Sequence, residues 1–341
     1  MLSFDTITLE KHCNLLLLFI EKSNSDSLSL IDSIIRRLDP KKVDFDPECL
    51  IFIKLAKEGY MSTVLSYCKS ANFAKKFSEY LLPQIINRYP INSLLLILKL
   101  LKYENLKETF LQYNIIRLIT LAVASSEFEL AAKASLKIEF PRGMLKRNLS
   151  ETTTLIKYLS DFESEQIASC ILVTLLPFAL YSKWIDKTIV PDATSKMLQS
   201  DDTLVASRAL SLAVVLVQTP EMARIMAVSM NVAAISRFFD CAPPPFLYIT
   251  VRFFAAVAPY LRMNEIVQEA VSKEIEVALS ENANERLVVI IIQSFLLLPS
   301  GDDWKTINMN CPINKFIEEI GERYKGNNEI MQLIQLLKVK V

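Results

Sequence analysis

The stretch from Ser200 to Asp240 reads SDDTLVASRALSLAVVLVQTPEMARIMAVSMNVAAISRFFD. It opens with Asp202, an acid placed to cap a helix start, and runs on as a segment that is apolar almost all round. A helix without a wide polar face has to be covered on both sides. Pro220 then suits the first position of a second helix. Within VSMNVAAISRFF, Asn231 interrupts apolar residues at helical spacing. Asn tolerates a left-handed turn and also caps the helix that follows, and either role separates segments 221–229 and 232–240. A further long helix is expected over 246–260.

The same punctuation recurs along the chain. Asn72, Asn114, Asn148 and Asn310 each stand before an apolar segment. With Asn231 included, the gaps are 42, 34, 83 and 79 residues. The last two are close to double steps, so the period lies near 40, the length of a two- or three-helix solenoid repeat. Long apolar helices are expected to begin near Asp46, Ile91, Ser126, Ser164, Asp202, Phe246, Asn284 and Asn328. Proline is expected to close three of them, at Pro177, Pro259 and Pro299. LVVIII has the composition of a buried strand, but it continues as QSFLLL and the whole run is helix length.

This three-helix unit resembles the armadillo repeat of the armadillo/HEAT superfamily, and 200–240 is its clearest copy. The family usually has glycine where this chain has Asn231. The resemblance implies an all-α, right-handed superhelix of seven to eight repeats of roughly 40 residues, forming a single solenoid over 1–341. Residues 1–45 are expected to be atypical N-terminal capping helices, 46–310 the repeats, and 311–341 a C-terminal capping repeat.

The totals fit a folded chain. Of 341 residues, 51% are apolar and 22% charged, and Lys plus Arg equals Asp plus Glu at 38 each. That balance gives no global pull toward nucleic acid, and no run of Lys or Arg exceeds two. No apolar run is long enough to span a bilayer, and no basic amphipathic segment suggests membrane binding. The six cysteines stand alone, which reads as buried thiols in a reducing compartment, cytoplasm first with the nucleus left open. Asn148-Leu149-Ser150 then reads as a chance sequon.

Catalytic constellations are missing from the sequence. It contains no phosphate-binding glycine loop, nucleophile elbow or kinase signature. Its single histidine, His12, lies in a first helix expected to fray. The acid pairs Asp201-Asp202, Asp302-Asp303 and Glu318-Glu319 read as helix-start or solvent-facing charges. Neither a cofactor nor a metal site is expected, and the chain reads as a non-enzyme.

What remains is a surface. In armadillo proteins the third helices line a concave groove for peptides or partner proteins. Cations fall within the long helices here: Lys54, Lys57, Lys99, Lys102, Lys133, Lys137, Arg208, Arg252 and Arg286. Of these, Lys99, Lys102, Lys133, Arg208, Arg252 and Arg286 are the candidate partner-binding residues. Aligning RALSLAVVLV with RFFAAVAPYL gives Arg208 and Arg252 the same repeat position. A row of such groups favours an acidic or phosphorylated partner; the plainer reading is ordinary solvated charge. FLYITVRFF reads as core, with a partner anchor as the alternative. Importin-α-like receptors line their groove with repeated Trp and Asn. Trp184 and Trp304 fall outside the inner long helices, which disfavours nuclear-import reception.

The function expected is a non-enzymatic interaction scaffold or adaptor. The alternative is a regulatory or targeting module of a larger signalling enzyme such as a protein kinase. At the level of the repeat, Asn231→Val is expected to lower stability by on the order of 1 kcal/mol, through a lost cap or left-handed strain. Thermal melting tests this, and an unchanged midpoint would place the turn elsewhere.

Overall fold

The structure is a computed structural model. It describes residues 60–68, 71–179, 185–229, 238–239, 244–261, 265–281, 283–298 and 312–341, with isolated positions at 32, 33, 36, 52, 55 and 56. Asn231, Asn310, Pro299, His12, Trp184, Trp304, Lys54 and Lys57 lie outside the described residues, as does nearly all of 1–45. Among the described residues every regular element is helical.

The chain forms two compact units, Met1–Glu151 and Thr152–Val341. The first contains α1 (Met61–Tyr67), α2 (Ala71–Lys76), α3 (Leu82–Ile85) and α4 (Pro90–Leu100). It continues through α5 (Lys107–Leu111), α6 (Ile115–Ala124), α7 (Phe128–Lys137) and α8 (Arg142–Arg147). Between α2 and α3 the helix widens to a π turn over Phe77–Leu81. Pro83 follows at once, and a widened turn accommodates a residue with no N–H to donate. Helices α4, α6 and α7 pack on one another.

The second unit opens with α9 (Leu149–Ser160). Five long helices follow at repeat intervals: α10 (Glu165–Ala179), α12 (Thr203–Leu216), α14 (Pro244–Val257), α16 (Glu285–Leu297) and α18 (Asn328–Lys340). Each packs on the next, so they make a row. A second layer lies against that row: α11 (Ile189–Leu198), α13 (Pro220–Ser229), α15 (Glu265–Leu279) and α17 (Ile313–Arg323). Enclosure from three directions explains the all-round apolar sequences. In α10 every residue from Ala168 to Leu175 is buried. Phe295 of α16 meets Phe316 of α17 edge-on at 5.6 Å, closing the two layers near the C-terminus.

Helix starts follow local chemistry. The side chains of Asn114, Asp202, Asn284 and Asn327 each accept a backbone N–H from the first turn of the helix they precede. Ser164 does the same for Ile167. The long-helix starts expected near Ile91, Ser164, Asp202, Asn284 and Asn328 therefore fall within a residue of those observed, and that near Phe246 falls two residues late. Pro220 is the first residue of α13, and Pro259 sits in the 3-10 turn that ends α14.

Other expectations are corrected. Pro177 does not close its helix: α10 continues to Ala179. Proline in a helix interior costs about 3 kcal/mol, and burying Phe178 returns about 1.5–3 kcal/mol, so packing compensates. Asn72 is the second residue of α2, not a residue ahead of it. Ser126 does not cap α7; at φ 62° it makes the left-handed turn that ends α6. Asn148 is buried, and its Nδ2 donates to the Met144 carbonyl at 2.8 Å. The folded chain thus does not present the sequon.

The repeat period is written in the cross-links. Tyr103 and Tyr113 donate their hydroxyls to the carbonyls of Cys68 and Ser78, each 35 residues earlier. Gln166 reaches Asp202, 36 residues on, and Lys187 pairs with Glu221, 34 residues on. Arg323 and Tyr324 reach carbonyls between Ala278 and Ala283, 41 to 45 residues back. Lys340 donates to the carbonyls of Leu296 and Leu298, 44 and 42 residues back.

One buried group stands apart. Glu274 of α15 is fully buried; its Oε2 accepts the Ser294 hydroxyl of α16 at 2.9 Å, and its Oε1 has no partner. Burial pushes this carboxyl well above the usual glutamate range, which favours its protonated form in the folded chain. The folded state therefore holds a proton that the unfolded chain releases. Stability is full below the ordinary glutamate pKa and falls as pH rises toward the folded value. Glu274→Gln, which cannot ionise, should remove that slope. Chemical denaturation at pH 4.5 and pH 8 is expected to show the gap between variant and parent widening in favour of Gln as pH rises.

Candidate functional site

The row α12, α14, α16 leaves one stripe of each helix open, at three- and four-residue spacing. On α12 it runs through Leu204, Ser207, Arg208, Ser211 and Val215. On α14 it is Tyr248, Arg252 and Ala255, and on α16 it is Arg286, Val289, Ile290, Gln293 and Leu297. Val214 and Leu296 adjoin these stripes and are half-buried, and the buried positions of α12 and α16 face the core, among them Leu210, Leu212, Ile291 and Phe295. The first unit shows the same pattern by itself: Leu95, Lys99 and Lys102 at α4, and Glu129, Lys133 and Leu136 on α7.

The six candidate cations sit in different surroundings. Lys99 and Lys133 are exposed on α4 and α7. Lys102 lies beyond the α4 C-cap, with Nζ 4.8 Å from the Tyr103 ring centroid. Arg208 is half-buried; its Nη1 donates to Ser169 Oγ at 3.3 Å and Cys170 Sγ at 3.1 Å, tying α12 back to α10. Arg252 is exposed, with its guanidinium carbon 5.9 Å from the centroid of Tyr248 on the same helix. Arg286 lies in the first turn of α16, not mid-helix, with its guanidinium carbon 5.4 Å from that same ring. The structure thus brings Arg252 and Arg286 together at Tyr248, while Arg208 and Arg252 differ in burial and bonding. Tyr248 lies inside FLYITVRFF. The signal that could have found it is its four-residue spacing to Arg252.

No constellation for chemistry accompanies these stripes. Among the described residues, no three His, Cys, Asp or Glu side chains are grouped to hold a metal ion. Cys68 and Cys170 are buried and not in a disulfide, and burial pushes the Cys68 pKa up to about 12, away from a reactive thiolate. Asp202 is held below the usual carboxylate range by the backbone N–H groups of Leu204 and Val205, which is capping. Glu319 pairs with Lys315 at 3.4 Å on the solvent side of α17. A cleft of ≈ 190 Å³ in the first unit is floored by Leu101, Phe110, Leu111, Ile115 and Ile138, with Lys107, Lys137 and Glu139 also lining it. That is close to the size of a cavity that admits benzene, and below the ~300 Å³ at which cofactor sites begin. Among the described residues no helix is long and apolar enough to cross a membrane.

Solved structures decide the fold. The designed armadillo repeat protein YIII(Dq)4CqI superposes with a TM-score of 0.51 at 13% identity, over 65% of this chain and 98% of its own. Computationally designed armadillo repeat proteins for modular peptide recognition superpose at 0.50, also with 13% identity, over 65% and 98%. The fold is an armadillo-like α-solenoid. No protein-family model matches the sequence, and no curated protein matches it significantly. Within the second unit the open stripes of α12, α14 and α16 are the surface left after neighbouring repeats have packed.

The two arginines that the alignment equated should separate on mutation. Arg208→Gln is expected to lower stability by about 1 kcal/mol through its lost hydrogen bonds to α10. Arg252→Gln should stay within about 0.5 kcal/mol of the parent. Urea denaturation midpoints of the two variants measure the difference.

Proposed function

We propose that this chain is a non-enzymatic protein-interaction scaffold that receives a partner protein or peptide across the open face of its long helices. The observation that carries this reading is the stripe itself. α12, α14 and α16 bury most of their other positions, yet successive members present Leu204, Tyr248, Val289 and Leu297 beside Arg252 and Arg286. Mixed aromatic, aliphatic and arginine surface is the composition of interface hot spots. One of the solved neighbours was designed for modular peptide recognition, and the shared fold supports the same mode of use here.

In this proposal Arg208, Arg252 and Arg286 border the docking face of the second unit, Lys99, Lys102 and Lys133 border the matching stripes of the first, and each set favours an acidic or phosphorylated partner. Arg208 contributes chiefly by holding α12 against α10. The setting proposed is reducing and cytoplasmic, which suits the buried thiols Cys68 and Cys170, neither of which is in a disulfide.

Val289 is half-exposed in the middle of the α16 stripe, so an acid there should repel such a partner without touching the core. Proteins captured from a cell extract by the parent chain are expected to be lost or reduced at least fivefold with Val289→Asp, at unchanged helical circular dichroism. Equal capture by the two chains would remove the docking face.

A further inference from the structure

We propose that Arg252, Arg286 and Tyr248 form a recognition site for a phosphorylated serine or threonine of the docked partner, an inference that rests on the docking face argued above. Two guanidinium groups from successive long helices converge on one aromatic ring, at 5.9 and 5.4 Å from its centroid. Each is exposed, and neither pairs with a carboxylate among the described residues. Elsewhere, cations such as Lys187 and Lys315 do find acids on this surface. The nearest acid in sequence, Glu285, accepts instead from Asn327 Nδ2 at 3.1 Å.

The position of Arg286 is not explained by helix stability. It stands in the first turn of α16, where the helix end is already positive and a cation is disfavoured. Arg252 and Arg286 add two positive charges around one ring, whose cation–π attraction holds both guanidiniums on the open face. What would stabilise the cluster is an anion large enough to meet both forks. A phosphate monoester carries a charge of about −1.5 to −2 and three acceptor oxygens. It can accept from Arg252 and Arg286 together and from the Tyr248 hydroxyl, which has no hydrogen-bond partner among the described residues. A carboxylate offers one charge and two oxygens, enough for one fork.

The test uses the full chain and three blocked tripeptides carrying phosphoserine, glutamate or serine between alanines. Arginine Nε–H resonances report binding at each guanidinium. The phosphoserine peptide is expected to shift the Arg252 and Arg286 signals and to bind at least tenfold more tightly than the glutamate peptide. Arg252→Gln or Arg286→Gln should weaken it at least fivefold, and the double variant should abolish it. Both arginines are exposed, so these variants keep the parent fold, which circular dichroism checks. Glutamate or serine binding as well as phosphoserine would overturn the proposal, as would undiminished phosphopeptide binding by the double variant. Cell-extract capture separates the two levels. Partners kept by the double Gln variant but lost by Val289→Asp would sink the phosphate site and leave the docking face. Partners kept by Val289→Asp would sink the docking face itself.

Discussion

The long helices of the second unit cannot stand alone. α10 is buried from Ala168 to Leu175 without a break, and α12 and α16 have only one narrow open stripe each. In water, any of these helices would expose several side chains whose burial is worth about 1.5–3 kcal/mol each. The row of long helices and the layer behind it remove that exposure. Everything else about the molecule follows from the need for each long helix to have neighbours on three sides. The stripe that remains open is what the row leaves uncovered, and so the open surface and the core are set by one packing arrangement.

That arrangement is fastened at helix ends. Arg323 closes over the carbonyls that end α15, Tyr324 donates to the Ala283 carbonyl in the loop after it, and Lys340 closes over the carbonyls that end α16. The last turn of a helix has carbonyls without intrahelical donors, and a cation there also suits the dipole. Here the donors come from the following repeat. Lys340 accepts partial burial for this role, and burial lowers its pKa below the usual lysine value.

Where an element begins was legible because a cap is a local matter. Asp202, Ser164 and Asn284 each act on backbone within three residues, so sequence alone carries the information. Where a helix ends was less legible. Pro177 has the chemistry of a terminator, but burial of Phe178 and Ala179 carries the helix past it, and burial is decided by residues from other repeats. The same limit applied to the candidate site. Arg208 and Arg252 occupy matching places in an alignment. One reaches Ser169 and Cys170 on the preceding long helix, and the other lies on Tyr248 of its own. The convergence of Arg286 on Tyr248 joins residues 38 apart, and only the packing of α14 on α16 creates it.

The side-chain ties between repeats described above have a short reach in sequence, about one repeat each: 34 residues for Lys187 to Glu221, 45 for Arg323 to Ala278. Cooperativity in such a chain is passed from neighbour to neighbour, and it weakens with distance. Amide exchange should therefore be graded, with terminal helices opening often and interior ones seldom. A segment that lies across several repeats at once would lower that gradient, acting as a splint along the row.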